Sequence, residues 1–225
     1  MTPSSETIGK IISLEWEMFT AVNEGQTRAS CQEDPKTFEG MRNAQYTQWN
    51  QKTAESYLAD VETARAAGRN LIAEKYIHMM KTTDPGAYKA LIPEIPAPTA
   101  DAAGLAQEIT DLLIEQTRLL YENYPHISGA GRPLYTEFDS AGTSVETYQR
   151  CELLTYSEKT LRALLEHATE LAKNEESLAR NILEATVRHY GYESLEKAET
   201  ATAARIERKN AQGIPGFCAG DGCAL

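Results

Sequence analysis

The sequence predicts an all-α fold, a single-domain helical bundle of about seven to nine helices ending in a flexible tail. Three observations carry that reading. Apolar residues recur at helical spacing along most of the chain, no stretch alternates apolar and polar as a half-buried strand does, and capping residues, prolines and glycines punctuate the pattern at intervals suited to helices. The domain is read as residues 1–212, with a proline-rich linker at 91–98 between two helical halves and a Gly/Cys tail at 213–225.

In chain order, the first helix is predicted from Ser5 to Asn23, capped by Ser4 or Ser5 and stopped by Gly25. A polar loop follows, and Asp34-Pro35 opens the next helix with Asp as cap and Pro in the first turn. From Pro35 to Lys81 the chain reads as two helices or one bent helix, because the apolar stripe rotates near Gln51. Asp84-Pro85 starts a short helical turn, and Pro93, Pro96 and Pro98 make the linker. Asp101–Tyr124 is a long helix. The segment from Pro125 to Gly142, containing SGAGRP, is the longest irregular piece. Thr143 and Glu146 read as a capping box for helices that run, with breaks near Ser157 and Asn174, to Tyr190. A last helix, Glu193–Asn210, has a weak apolar face and is expected at the periphery.

Composition excludes several functions. With 22 Lys+Arg against 33 Asp+Glu, the formal charge of −11 repels phosphate backbones and anionic lipids, so nucleic acid is a poor partner. No apolar run is long enough to span a bilayer and the N-terminus lacks a signal-peptide pattern, so no membrane partner and a cytoplasmic location are expected. Cys31, Cys151, Cys218 and Cys223 are too scattered for a disulfide framework and read as thiols.

The chemistry lies in polar residues on apolar stripes. A helix turns about 100° per residue, so faces follow from position. Glu15 falls in the middle of the arc of Ile8, Ile11, Ile12, Met18, Phe19 and Val22, while Glu17 points the other way. Gln45 is centred on the Phe38, Met41, Trp49 stripe, with Arg42 on its shoulder. Gln116 interrupts Ile109, Leu112, Leu113, Leu119 and Leu120. Glu152 is centred on Val145, Tyr148 and Tyr156, and His189 shares a face with Leu178, Ile182 and Ala185. A buried carboxylate costs several kcal/mol unless compensated, so Glu15 and Glu152 need partners. Any one such residue is most simply a hydrogen-bonded core group; five on separate helices point to a shared pocket.

That pocket is predicted to take a small polar or anionic molecule, with or without catalysis. Glu15, Glu152 and Cys31 are the candidate catalytic groups. Arg28, Arg42, Gln45, Trp49, Gln116, Arg132 and Tyr148 are the candidate ligand-binding groups, the three arginines forming an anion clamp and Arg132 riding on a loop that can close. Cys31 follows Arg28 just before a helix start, which favours thiolate. No metal site is assigned: helical-bundle di-metal sites use Glu-x-x-His pairs, whereas Glu74 and His78 are four apart and face away from Ile72, Tyr76 and Met79. The cofactor is unknown. A module whose polar stripes face a protein partner is the alternative.

The segments LEWEMF, RASCQEDPKTFEGMRNAQYTQW, EKYIHMM and TSVETYQRCELLTYSEKTL resemble a bacterial family of domains of unknown function, number four-one-two-five, over roughly residues 8 to 170. The resemblance implies no activity. It brings an association with a nucleotidyltransferase-like protein partner, and with it the further reading of a HEPN-like ribonuclease. Arg180-Asn181 precedes His189 as such a motif would, but with a longer gap.

Overall fold

The computed structural model describes residues 2–22, 30–129 and 131–212; the side chains of Ser30, Cys31 and Ala141 are outside that description, as are Arg28 and the Gly/Cys tail with Cys218 and Cys223. Among the described residues the chain forms eleven α-helices and no strand, so the fold class stands as predicted. Short helices in segments read as turn or loop raise the count.

Helix α1 (Ser5–Thr20) starts where Ser4 accepts the amide of Thr7. The region predicted as one or two helices is three: α2 (Pro35–Tyr46), α3 (Gln51–Ala66) and α4 (Leu71–Thr83). Asn50 and Asn70 cap the second and third. Gly68 adopts φ 69°, a left-handed turn that lets the amide of Arg69 close on the carbonyl of Ala64 and ends α3. Trp49 therefore sits in the turn after α2. Helix α5 (Pro85–Leu91) buries none of its residues and leads through the prolines to α6 (Ala100–Asn123).

Beyond α6 the segment read as irregular holds α7 (Pro125–Gly129) and a 3-10 turn at Thr136–Ala141. Helix α8 (Val145–Leu153) is capped by Ser144, one residue later than the predicted box; Glu146 instead accepts the amide of Thr136 and fastens that turn. Helices α9 (Glu158–Lys173), α10 (Leu178–His189) and α11 (Leu195–Ala211) complete the bundle.

Two apolar clusters result. The larger gathers α1, the end of α2, α3, α4, α6, α8, α9 and the start of α10, with Ile11, Val61, Ile109 and Leu161 fully buried. The smaller joins the end of α6 and α7 to α10 and α11 through Leu120, Tyr124, Ile127, Val187, Leu195 and Ala198. Helix α2 lies on α1 and α10, and it approaches α10 closely at Gly40. A Cβ there would meet His189 Nε2 at 2.0 Å, so the imidazole fills the place of a side chain. No helix among the described residues is long and apolar enough to cross a membrane.

Candidate functional site

Four charged residues from four helices meet inside the larger cluster: Glu15 on α1, Arg42 on α2, Lys75 on α4 and Glu152 on α8, at 1%, 8%, 2% and 7% exposure. The guanidinium of Arg42 lies between the carboxylates, Nε 3.2 Å from Oε2 of Glu15 and Nη1 3.0 Å from Oε1 of Glu152. Lys75 Nζ donates to Oε2 of Glu152 at 2.5 Å. Gln45 bridges: its carbonyl accepts from Arg42 Nη1 and its amide donates to Glu152. Tyr156 donates to Oε1 of Glu152 at 3.0 Å. The hydroxyls of Tyr46 and Tyr57 both donate to Oε1 of Glu15, each at 2.7 Å.

The two carboxylates respond in opposite directions. Burial raises both. For Glu152 the charges of Arg42 and Lys75, with their hydrogen bonds, outweigh burial and hold the carboxyl far below the usual range. For Glu15 burial prevails over Arg42 and the tyrosines, and the nearby Glu152 adds to the rise. Its Oε2 makes no hydrogen bond: the Arg42 Nε–H is close enough to attract it but is not aligned to donate. Arg42 is itself buried, which lowers its proton affinity, but the two carboxylates more than restore it, so it stays charged.

A cavity of about 280 Å³ opens beside Glu152. It lies at the seam between the apolar clusters, with Leu113, Leu153, Leu164 and Leu178 from one and Leu120 and Ile127 from the other in its wall. Its polar lining includes Gln45, Glu152, Tyr148, Gln149 and Tyr156, beside the Trp49 indole. Two cations approach the Tyr148 ring: Lys75 Nζ lies 3.3 Å from its centroid, and the Arg132 guanidinium carbon 4.8 Å. Arg132 also donates to the carbonyl of Thr143, and its own carbonyl accepts from Tyr121, another wall residue.

Of the residues singled out in the sequence, Glu15, Arg42, Gln45 and Glu152 form one network, Trp49 and Tyr148 line the cavity, and Arg132 backs Tyr148. Gln116 is elsewhere. Its carbonyl accepts from the Ser177 hydroxyl and the Ala179 amide and so secures the start of α10. Arg42 does not form a clamp with Arg132, because Glu15 and Glu152 occupy it. The backbone of Cys31 lies in a 3-10 turn at Ser30–Glu33. His189 is seated against Gly40, and Arg180 pairs with Glu184. Glu74 and His78 are both buried, contrary to the expected outward face. Glu74 is held by Arg69 through two hydrogen bonds, and no group of three His, Cys, Asp or Glu among the described residues is arranged for a metal.

Lys75 was missed. It lies four residues after Leu71 and four before Met79, both buried, so the stripe of α4 passes through it. Tyr46 and Tyr57 were not singled out either; both are buried core aromatics whose hydroxyls reach Glu15.

The family model described as "Protein of unknown function (DUF4125)" matches residues 5–200, and the chain belongs to that family. No curated protein and no solved structure matches the chain.

Proposed function

We propose that this member of the family binds a small molecule with an apolar body and a polar head in the cavity beside Glu152. The observation that carries the reading is the cavity itself: an apolar hollow between two packed clusters, with polar groups including Gln45, Tyr148 and Glu152 in its wall. Ligand sites are mostly apolar with a few placed polar groups. At about 280 Å³ it falls just below the usual range of roughly 300–1,000 Å³, which favours a small occupant over a nucleotide-sized cofactor. Glu152 serves as the anchor of the wall. With both oxygens accepting and its proton affinity depressed, it is poorly suited to act as a general base.

Octanol is a suitable probe, being apolar with one neutral head. In the Trp16→Phe protein, Trp49 is the remaining tryptophan and its emission reports on the cavity. Titration with octanol should give a saturable change. Ile182→Phe, which enlarges a wall residue, should weaken binding at least fivefold with the helical circular dichroism intact. No saturable change, or equal affinity in Ile182→Phe, would remove the cavity as a ligand site.

A further inference from the structure

We infer that the head of the occupant is an anion, a carboxylate in the simplest case, received between Trp49, Tyr148 and the cations behind them. The inference rests on the cavity reading above and adds the chemical class. The carboxylate at this end is already engaged: Glu152 receives Arg42, Gln45, Tyr156 and Lys75. Several donors in the wall remain uncommitted. Among the described residues the indole N–H of Trp49 and the hydroxyl of Tyr148 make no hydrogen bond, and the Gln45 amide uses one of its two N–H groups. These donors belong to residues that line the cavity, so an occupant that brings acceptors gains hydrogen bonds there.

The charges point the same way. Arg42 and Lys75 are answered by Glu15 and Glu152, and burial biases Glu15 toward its neutral form. Arg132, whose guanidinium carbon lies 4.8 Å from the Tyr148 ring centroid, has no ion pair among the described residues and donates to the Thr143 carbonyl. The acidic groups around the start of α8 do not answer it: Asp139 accepts from Ser144 and Thr147, and Glu146 from Thr136. An anionic head would take up this unanswered charge.

Octanoate, octanol and octylamine share a chain and differ in the head. Followed by Trp49 emission in the Trp16→Phe protein at pH 7, octanoate should bind at least tenfold more tightly than octanol, and octylamine more weakly than either. Arg132→Gln should cut the preference for octanoate severalfold while octanol affinity stays as it was. Octanoate no tighter than octanol, octylamine the tightest, or an undiminished preference in Arg132→Gln would overturn the inference. Because octanol binding is read in the same experiment, each of those results would leave the cavity reading standing. Failure of all three probes would remove both.

Discussion

The carboxylates that share Arg42 occupy different surroundings. Glu15 lies among α1, α2 and α3, where Trp49 packs edge against face with Tyr46 and Tyr57, and its hydrogen bonds come from neutral hydroxyls. Glu152 lies among α2, α4 and α8, receives two cations, and borders the cavity. Both are nearly dry, yet one is pushed toward its acid form and the other away from it. Neutral donors improve a buried carboxylate, but it takes a second full positive charge to outweigh the loss of water. Arg42 alone cannot offset burial for both, and Lys75 is the added charge that holds Glu152 below the usual range while Glu15 is held above it.

The largest effect should come from removing the charge that Lys75 and Arg42 share. Glu152→Gln leaves Lys75 without an ionic partner in a buried setting, and such a break costs roughly 3–5 kcal/mol. The pH dependence has a definite sign. A carboxyl held low in the folded state adds stability above its unfolded value of 4.5, and that stability is lost as pH falls below it. The advantage of the parent over Glu152→Gln in urea denaturation should therefore be large at pH 7 and shrink in acid. A cost under about 1 kcal/mol at pH 7 would break the contrast.

Glu15→Gln should cost less, about 1–2 kcal/mol, because a glutamine carbonyl can still accept from Tyr46 and Tyr57 and Arg42 keeps Glu152. Here the slope reverses. A carboxyl held high in the folded state is most favourable below 4.5 and loses that stability as pH rises toward its folded value. The parent's advantage over Glu15→Gln should narrow from pH 4 to pH 7, opposite to the Glu152 series. Parallel slopes would show that the two sites are electrostatically alike.

The helical periodicity that fixed the fold class also placed Glu15, Gln45 and Glu152 inward, because the face of a helix follows directly from residue number. Three things were harder to read. Helix breaks at Asn50 and Gly68 depend on one cap and one left-handed residue, signals weaker than a stripe that continues on either side. Lys75 passed unnoticed because a lysine on a stripe is ordinarily taken to reach for water. The destinations of Gln116 and His189 depend on which helices become neighbours. Periodicity tells that a side chain faces inward, and tertiary packing decides whether it finds a capped amide, a glycine or a carboxylate.

The smallest expected effect isolates burial as the cause. Lys52 lies 2.5 Å from Glu166 and Lys75 lies 2.5 Å from Glu152, so by distance the two ion pairs are equal. Their side chains are 63% and 67% exposed in the first pair and 3% and 10% in the second. Water and salt screen the first, and both of its long side chains lose rotamer freedom to hold one geometry. Lys52→Met should change stability by less than about 0.5 kcal/mol, a difference that 0.5–1 M salt erases, with ~3 Å screening lengths at the upper end. Lys75→Met leaves Glu152 with Arg42 as its single cation and should cost about 2 kcal/mol or more, with little response to salt because ions do not enter the core. Urea denaturation of both variants at low and high salt measures all four values. A salt-sensitive Lys75, or a costly Lys52, would mean that proximity governs these pairs and that the dry setting of the Glu152 network contributes little.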